Sequence, residues 1–240
     1  MIPKVIHYCW FGRNPLPKLA VKCIESWRKY LPDYEIREWN EDNFDLDMFP
    51  YTREAYDNKK YAFVTDVVRL YALYHQGGVY MDTDVEVIGS FDPFLHHLAF
   101  SGFESETEIP TGVMASEKGG VWAKKNLDYY NNRHFIKDNG EFDMTTNVKI
   151  ITQFMLKYGL VQNNTYQDFP GLVTFYPTDY FCPIDHKGYV MNKSNNTVCI
   201  HYYAGSWAKP KHKFKKRLNK ILGPHIMSLV FTIKKTIQRK

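Results

Sequence analysis

The run Gly77-Gly78-Val79-Tyr80-Met81-Asp82-Thr83-Asp84 decides the fold class, because it joins a helix end, a strand and an acidic pair without a break. Apolar residues recur at helical spacing over 60–76 and predict a helix before the run. The two glycines end that helix, since glycine enters the left-handed region without strain. Residues 79–81 follow as a strand. The acidic pair therefore stands at the carboxyl end of a strand, where open α/β sheets bind ligands.

The residues on either side of this run predict an α/β protein. Residues 5–10 predict a short buried strand, 19–30 a helix, and the alternation over 34–39 a second strand. A strand, a helix and a strand in that order indicate a parallel crossover. Further along the chain, the coarser patterns predict two helices and two strands, near 121–131, 147–158, 173–176 and 198–202.

Asp82 and Asp84 carry the first indication of chemistry. Two carboxylates one residue apart repel each other unless a cation lies between them. Hard oxygen ligands suit Mg²⁺ or Mn²⁺, and a metal held by two carboxylates completes its shell with water and substrate phosphate. An Asp-x-Asp pair by itself is more often a solvated turn, so the interpretation depends on its surroundings.

Two other groups of residues strengthen the prediction of a ligand site. Asp66 and Arg69 lie three residues apart within an apolar helical stretch, so they share one face. They form either a surface ion pair of little consequence or a buried pair that serves a polar ligand. The segment from His201 to Lys209 collects an imidazole, a hydroxyl, an indole and an ammonium around a glycine. These groups suit a metal and phosphate oxygens.

Together, these segments resemble the bacterial sugar transferases of glycosyltransferase family 32, which include capsular polysaccharide enzymes. The resemblance covers residues 1–207 and is most specific between Tyr61 and Asp84. It implies a GT-A type nucleotide-sugar-binding fold with a mixed, mainly parallel central sheet. It also implies a nucleotide-diphosphate sugar donor, a divalent metal and retention of the anomeric configuration. The segments that carry it are Ile2 to His7, Trp10 to Gly12, Asp66 with Arg69, Gly77 to Asp84, and His201 with Ser206 and Trp207.

The resemblance also implies a role for each matching residue. Asp66 and Arg69 would hold hydroxyls of the donor sugar, Asp82 would contact ribose and metal, and Asp84 would ligate the metal. We expect these four to be the catalytic residues. His201 would complete the metal site, which we expect to hold Mn²⁺ or Mg²⁺. The remaining expected substrate-binding residues are Trp10 for base stacking, Tyr80, and, for the diphosphate, Ser206, Trp207 and Lys209.

A carboxylate nucleophile is not identified by the sequence. Retention through a covalent intermediate would need one at the anomeric carbon, whereas front-face substitution needs none, and we favour front-face substitution. The alternating segment from Glu104 to Glu108 predicts a solvated loop. The candidate nucleophiles are Glu104, Glu106, Glu108, Glu117 and Asp143.

Charge divides the chain into two expected parts. Residues 209–240 carry 11 Lys and Arg residues and no Asp or Glu, which leaves 20 basic and 26 acidic residues in 1–208. We therefore expect a transferase domain over 1–208 and a tail of basic amphipathic helices over 209–240. Such a tail would bind an anionic membrane surface, and the acceptor would be a glycan or a lipid-linked glycan. We expect a cytoplasmic protein, peripheral on the inner face of the cell membrane.

Two other functions are compatible with parts of the sequence: binding of nucleic acid or an anionic surface, and hydrolysis of phosphate esters. A nucleic-acid or anionic-surface binding protein without transferase activity would act through the basic tail. However, only Phe214 and Phe231 are interleaved with the tail's charges, so stacking platforms are missing and no nucleic-acid partner is expected. A phosphohydrolase or nuclease would keep the metal but would usually need more carboxylates around paired ions. The four cysteines form no Cys-x-x-Cys pair and are expected to be buried thiols.

Overall fold

The computed structural model describes residues 1–109, 112–184 and 191–205 of the chain. Among these residues, no helix is long and apolar enough to cross a membrane. The predicted tail over 209–240 lies outside the described residues, as do Ser206, Trp207 and Lys209.

The helices and strands alternate along the first half of the chain and become shorter in the second half. The helices are α1 (Lys18–Tyr30), α2 (Pro50–Asp57), α3 (Tyr61–Gln76), α4 (Val121–Asp128), α5 (Asn147–Leu156) and α6 (Thr178–Phe181). The strands are β1 (Val5–Cys9), β2 (Glu35–Trp39), β3 (Gly78–Met81), β4 (Val85–Val87), β5 (Ala99–Gly102), β6 (Val113–Ser116), β7 (Gln167–Phe169), β8 (Val173–Tyr176) and β9 (Cys199–His201).

Seven strands form one mixed sheet in the order β2-β1-β3-β6-β5-β8-β7. Strands β1, β2 and β3 run parallel, β6 is antiparallel to both β3 and β5, and β8 is parallel to β5. Only β6 and β7 therefore oppose the common direction. The predicted α/β class, with a mixed and mainly parallel central sheet, is confirmed. The carboxyl ends of β1, β3, β5 and β8 lie along the same edge.

The predicted crossover at the amino terminus is confirmed, since β1 and β2 pair in parallel from Val5 opposite Glu35 to Cys9 opposite Trp39. Helix α1 connects these two strands. Its Trp27 is fully buried, and the indole Nε1 donates a hydrogen bond to the Val85 carbonyl at 2.7 Å. This bond ties α1 to the segment that immediately follows the acidic pair.

The predicted helix, glycine turn and strand are also confirmed. Helix α3 ends at a left-handed Gly77 with φ +69°, whose N–H donates to the Leu73 carbonyl. Gly78 has φ +117°, and a Cβ there would lie 2.5 Å from the Val5 carbonyl oxygen. Both positions therefore require glycine. Beneath the turn, the buried His7 ring contacts the Gly77 carbonyl oxygen through Nε2, at 2.8 Å.

A second, two-stranded sheet pairs β4 with β9 in antiparallel register, with Val85 opposite His201. The polypeptide between these strands supplies β5 to β8, so this pairing joins segments that are distant in sequence. It places His201 next to the residue that follows Asp84. The four cysteines are buried free thiols, as predicted.

Candidate active site

Asp82, Asp84 and His201 converge at the carboxyl end of β3. One ligand atom from each lies within 4.8 Å of the other two, and within the described residues this is the one such group of three or more potential ligands. His201 Nε2 lies 3.3 Å from Asp84 Oδ1, while the other Asp84 oxygen accepts a 2.6 Å hydrogen bond from the Ala204 N–H. Both contacts depend on the antiparallel pairing of β4 with β9.

The chemistry of these three side chains fits a divalent cation. Two carboxylates supply hard oxygen ligands and the imidazole supplies a borderline nitrogen, a set that Mn²⁺ and Mg²⁺ accept. Their mutual separation allows one ion to contact all three. His201 is only 7% exposed, and its Nδ1 has no hydrogen-bond partner among the described residues. Nε2 is therefore the ring atom that faces the carboxylates.

Gly112 helps to position two of these residues, the backbone of Asp82 and the ring of His201. Its carbonyl oxygen accepts a 2.9 Å hydrogen bond from the Asp82 N–H. A Cβ at this position would lie 2.9 Å from both Nδ1 and Cε1 of His201. The imidazole thus packs flat against a backbone that cannot carry a side chain there without displacing it.

Asp84 and His201 form a buried pair of opposite charges. Burial opposes ionisation of Asp84, but His201 and the Ala204 N–H outweigh it and lower the pKa of the carboxyl. Burial likewise opposes protonation of His201, but Asp84 raises the pKa of the imidazole well above its ordinary value. Without an ion, the two side chains therefore neutralise each other.

Arg69 lies between two carboxylates in the wall of the site. Its Nη2 is 3.3 Å from Asp66 Oδ1 and 3.3 Å from Asp82 Oδ1. Arg69 is 5% exposed and Asp66 is 8% exposed, so they form the buried pair that was one of the two sequence interpretations, and not a surface ion pair. We call Asp66, Arg69, Tyr80 and Asp82 the donor wall.

The charges of the donor wall depend strongly on one another. Burial raises the pKa of Asp66 to about 7, with Arg69 opposing this change and Asp82 adding to it. Burial disfavours the guanidinium, yet Asp82, Tyr80 and Asp66 together raise the pKa of Arg69. Arg69 therefore carries a permanent positive charge that interacts with both carboxylates.

Tyr80 is the most buried residue of the donor wall, at 1% exposed, and lies beneath Arg69. Its hydroxyl donates a 2.7 Å hydrogen bond to Asp82 Oδ1, and the Arg69 guanidinium lies 4.5 Å above the centre of its ring. These contacts position Asp82 and Arg69. Direct contact of Tyr80 with the substrate, expected from the sequence, stays a prediction.

Trp10 follows β1 at the same sheet edge and is partly exposed. Its indole Nε1 donates to the Asn14 carbonyl at 2.5 Å, and its backbone N–H donates to the Trp39 carbonyl. Gly12, with φ +94°, is packed under the Tyr61 ring, and a Cβ there would come within 2.4 Å of that ring. The loop that carries Trp10 is therefore held in one conformation.

Sequence reasoning missed Asn147, which supports the donor wall from α5. Its side-chain amide donates a 2.9 Å hydrogen bond to the Asp66 backbone carbonyl, and its oxygen accepts one from the Tyr130 hydroxyl at 2.8 Å. An asparagine at the start of a predicted helix indicates a cap by itself. Only the tertiary structure reveals its contact with residue 66.

The prediction of a solvated loop over 104–108 is wrong for Glu104. Glu106 and Thr107 are exposed, but Glu104 is partly buried. Burial raises the pKa of Glu104 to about 7, His201 opposes this change, and the charges of Glu108 and Asp82 add to it. The Tyr203 hydroxyl donates a 3.3 Å hydrogen bond to the Glu104 carbonyl, so Glu104 lies beside the segment that follows His201, which alternation in the sequence could not indicate.

A second Asp-x-Asp sequence, Asp45-Leu46-Asp47, differs from the pair in the site. Asp45 accepts a 2.9 Å hydrogen bond from the Asp47 N–H, and the exposed Asp47 carboxylate pairs with Arg53 at 2.6 Å. It is an ordinary solvated turn, and it provides a matched control for Asp82 and Asp84.

Residues 17–101 match the family model described as "Glycosyltransferase sugar-binding region containing DXD motif". Inositol phosphoceramide mannosyltransferase 3 of Schizosaccharomyces pombe is 35% identical over 122 residues, which cover 49% of this chain and 34% of that protein. Mannosyl phosphorylinositol ceramide synthase CSH1 of Saccharomyces cerevisiae is 30% identical over 120 residues, covering 48% of this chain and 32% of that protein. The chain thus spans about a third of the length of these relatives.

Glycosyltransferases are also among the similar solved structures. PaToxG glycosyltransferase aligns with a TM-score of 0.48 and 19% identity, covering 65% of this chain and 69% of that chain. Galactosyltransferase LgtC aligns with a TM-score of 0.44 and 12% identity, and the alignment covers 89% of this chain and 92% of that chain. Residues 17–101, which match this family model, contain two Asp-x-Asp sequences, and within the described part of the chain only Asp82 and Asp84 lie with a histidine in a group of three potential metal ligands.

Proposed function

We propose that this protein is a metal-dependent glycosyltransferase of the GT-A type. It moves a sugar from a nucleotide-diphosphate donor to an acceptor hydroxyl, with retention of the anomeric configuration. The observation that carries the proposal is the convergence of Asp82, Asp84 and His201 beside the buried Arg69. A cation at this group would lie next to a fixed guanidinium, an arrangement that suits a diphosphate and the sugar attached to it.

The three ligands would hold Mn²⁺ or Mg²⁺. When bound, such an ion neutralises the charge that develops on the leaving diphosphate. Asp84 and His201 are held on paired strands, and Asp82 is fixed by the Tyr80 hydroxyl and the Gly112 carbonyl. The protein therefore keeps these ligands in place before the donor binds, which avoids reorganisation during the reaction.

The donor wall would bind the sugar. Arg69 has a planar guanidinium that can donate to two oxygens at once, and Asp66 offers a carboxylate that accepts from hydroxyls. Trp10, partly exposed at the same sheet edge, would stack on the nucleobase. The predicted diphosphate contacts of Ser206, Trp207 and Lys209 remain part of the proposal, because they follow His201 directly in the chain.

The relatives suggest which donor and acceptor to test first. Two of them are named for mannose transfer to inositol phosphoceramide, a lipid that carries a polar head. We therefore infer that a mannose-bearing nucleotide sugar is the first candidate donor and that the acceptor is a lipid-linked glycan or a lipid headgroup. A role in surface polysaccharide assembly, as in the capsular enzymes of glycosyltransferase family 32, is the alternative setting for the same chemistry.

The division into a domain over 1–208 and a tail over 209–240 belongs to the proposal. The tail's 11 basic residues would attract anionic lipid by about 1 kcal/mol for each residue near the surface, weakened by salt. Attachment to the inner face of the cell membrane would bring the site to a lipid-linked acceptor. Truncation after Lys209, which keeps the expected diphosphate contact and removes the other ten basic residues of the tail, should abolish sedimentation with anionic vesicles and leave donor hydrolysis intact.

A phosphohydrolase or nuclease is less well supported. Such enzymes usually place further carboxylates around a second ion. Within the described part of the chain, Asp82, Asp84 and His201 form the single group of three potential ligands. The neighbouring Asp66 is already paired with Arg69.

Turnover of a panel of nucleotide sugars with Mn²⁺ tests the proposal. We expect one donor to be hydrolysed slowly to a nucleoside diphosphate and free sugar, and to raise the melting temperature through binding to the folded state. Excess chelator should abolish hydrolysis. Failure of every donor in the panel, or full activity in chelator, would contradict the proposal.

A further inference from the structure

Glu104 lies at the same edge of the sheet as the candidate metal ligands. It follows β5, which runs in the same direction as β3, so the carboxyl ends of both strands meet at this edge. Its N–H donates to the Glu108 carbonyl at 2.8 Å and closes a tight loop. Its own carbonyl accepts a 3.3 Å hydrogen bond from the hydroxyl of Tyr203, two residues after His201. The backbone of Glu104 is therefore tied to both sides of the site.

The carboxylates of Glu104 and Glu108, on the same loop, both lack a hydrogen-bond or ion-pair partner among the described residues, but only Glu104 is bonded through its backbone to the segment that follows His201. Glu104 is partly buried. A buried carboxylate normally receives hydrogen bonds or a cation, because losing water costs free energy. Its charge is close enough to Asp82 and His201 to interact with both. An unpaired carboxylate so close to a ligand site indicates a role toward the ligand.

Of the four other candidate carboxylates, Glu108 lies farther along the same loop, and the remaining three are engaged or exposed elsewhere. The exposed Glu106 accepts a 3.4 Å hydrogen bond from Asn164. Glu117 follows β6, which runs in the opposite direction, and pairs with the amino terminus at 3.7 Å. Asp143 accepts hydrogen bonds from the hydroxyl and N–H of Thr145. None of these three residues has the position of Glu104.

We propose that Glu104 is a catalytic residue that faces the transferred sugar and stabilises the positive charge developing on it as the diphosphate leaves. The inference rests on the proposed function and adds a residue to it. The bond from the anomeric carbon to the diphosphate breaks, and both electrons leave with the diphosphate. The acceptor oxygen forms the new bond, and its proton passes to an oxygen of the departing diphosphate. Glu104 acts as the charged carboxylate, forms no bond and keeps its charge throughout. The reaction is therefore measured above pH 7, because burial raises the pKa of Glu104 to about 7.

This role predicts that the charge of Glu104 acts in the transition state more than in binding. Glu104→Gln preserves the shape and removes the charge, so kcat for donor hydrolysis should fall at least 100-fold. The dissociation constants for Mn²⁺ and for the donor should stay within threefold of wild type. Glu104→Asp, which keeps a carboxylate, should recover part of kcat. The matched control Glu106→Gln, on the same loop, should retain wild-type kcat.

The experiment compares these variants by steady-state hydrolysis, Mn²⁺ titration and donor titration, after circular dichroism has shown each to be folded. The inference is overturned if Glu104→Gln keeps kcat within fivefold of wild type. It is equally overturned if the Mn²⁺ or donor dissociation constant rises tenfold, because Glu104 would then be a binding residue. If Glu104→Gln does not fold, Glu104→Asp decides the question: a kcat reduced at least fivefold with unchanged Mn²⁺ and donor dissociation constants supports the inference, whereas wild-type kcat or a tenfold weaker Mn²⁺ affinity overturns it. A wild-type protein that turns over no donor contradicts the proposed function itself, and this inference with it.

Discussion

The donor wall and the loop that carries Glu104 lie at the same site, but they differ in whether their charged side chains have partners within the protein. In the donor wall, Arg69 contacts Asp66 and Asp82, and Tyr80 supports both Arg69 and Asp82. In the loop, the Glu104 carboxylate has no partner among the described residues. Internal partners hold a binding surface in place, whereas an unpaired carboxylate leaves its charge for the ligand.

Because of this difference, we expect substitutions in the two regions to change different measured quantities. Substitutions in the donor wall should affect stability and donor binding together, because they leave buried charges unbalanced. Substitution of Glu104 should affect the chemical step alone. The following predictions test how far this separation holds, beginning with the ligands that lie between the two regions.

Asp84→Asn should have the largest effect. Loss of the ligand charge leaves His201 without its carboxylate and removes a hard oxygen from the candidate metal site. We expect donor hydrolysis to fall by about 1000-fold, which corresponds to about 4 kcal/mol of transition-state stabilisation. Steady-state kinetics with Mn²⁺ measure it. Asp47→Asn, in the exposed Asp-x-Asp, is the matched control and should be indistinguishable from wild type.

Arg69→Lys should come second and should affect both activity and stability. Lysine keeps the charge but loses the planar contact with Tyr80 and the simultaneous approach to Asp66 and Asp82. We expect kcat/KM to fall by about 100-fold and the free energy of unfolding by about 2 kcal/mol. Kinetics and urea denaturation measure the two effects.

The exposed pair of Arg13 with Asp42 supplies the control for this variant. Arg13→Lys should change neither quantity by a measurable amount, since exposed ion pairs contribute little. An Arg69→Lys variant with unchanged stability would show that the planar contacts of the guanidinium do not hold the donor wall together.

The pH dependence of the free energy of unfolding tests the buried contact of His7 with the glycine turn that precedes β3. Burial lowers the pKa of His7 to about 4, although the Gly77 carbonyl opposes this change. The Trp39 indole donates to Nδ1 at 3.1 Å, so His7 is neutral and donates from Nε2 to that carbonyl. The unfolded chain binds the extra proton between pH 6.5 and pH 4. Stability is therefore complete above pH 6.5 and falls below it, by about 3 kcal/mol at pH 4.

Urea denaturation of wild type and His7→Gln between pH 7 and pH 4 measures this contribution. We expect the variant to be less stable at pH 7 and to lose less stability as the pH falls, because glutamine does not titrate. Parallel curves for the two proteins would refute the assignment to His7.

Gly112→Ala should have the smallest effect. The added methyl group must displace the His201 ring, which it would approach to 2.9 Å, but Asp82 and Asp84 are unaltered. We expect Mn²⁺ affinity to fall by about tenfold, or about 1.4 kcal/mol. Calorimetric titration with Mn²⁺ measures it. Gly89→Ala is the control, because the added methyl group would lie 3.3 Å from a Val198 side-chain atom and away from His201. The Mn²⁺ affinity of this variant should match that of wild type.

Sequence reasoning succeeded where the structure is local. Helix α3, its glycine turn and β3 are contiguous in the chain, and the spacing of their residues predicted Asp66 and Arg69 on one helix face beside Asp82. The short strands β5, β6 and β7 were not predicted, because three or four residues carry too little periodicity to distinguish a strand from a loop. The position of β9 depends on pairing with β4 across more than a hundred residues, which no local pattern encodes.

The same limit applies at the site. The sequence places Tyr80 among the expected substrate-binding residues, but it does not indicate that burial of the whole of β3 brings the Tyr80 ring under Arg69. Glu104 was interpreted as part of a solvated loop because acidic and small polar residues alternate there. Its burial results from packing against the segment around His201, and only tertiary structure provides that contact.

Titration of the protein with Mn²⁺, in the presence and absence of a nucleoside diphosphate, tests the central claim most directly. The claim is that Asp82, Asp84 and His201 form one cation site that also binds the donor diphosphate. Wild type should bind one Mn²⁺ per chain, more tightly when the diphosphate is present. Asp84→Asn should lose this binding while Asp47→Asn keeps it. Equal Mn²⁺ binding by wild type and Asp84→Asn would contradict the claim.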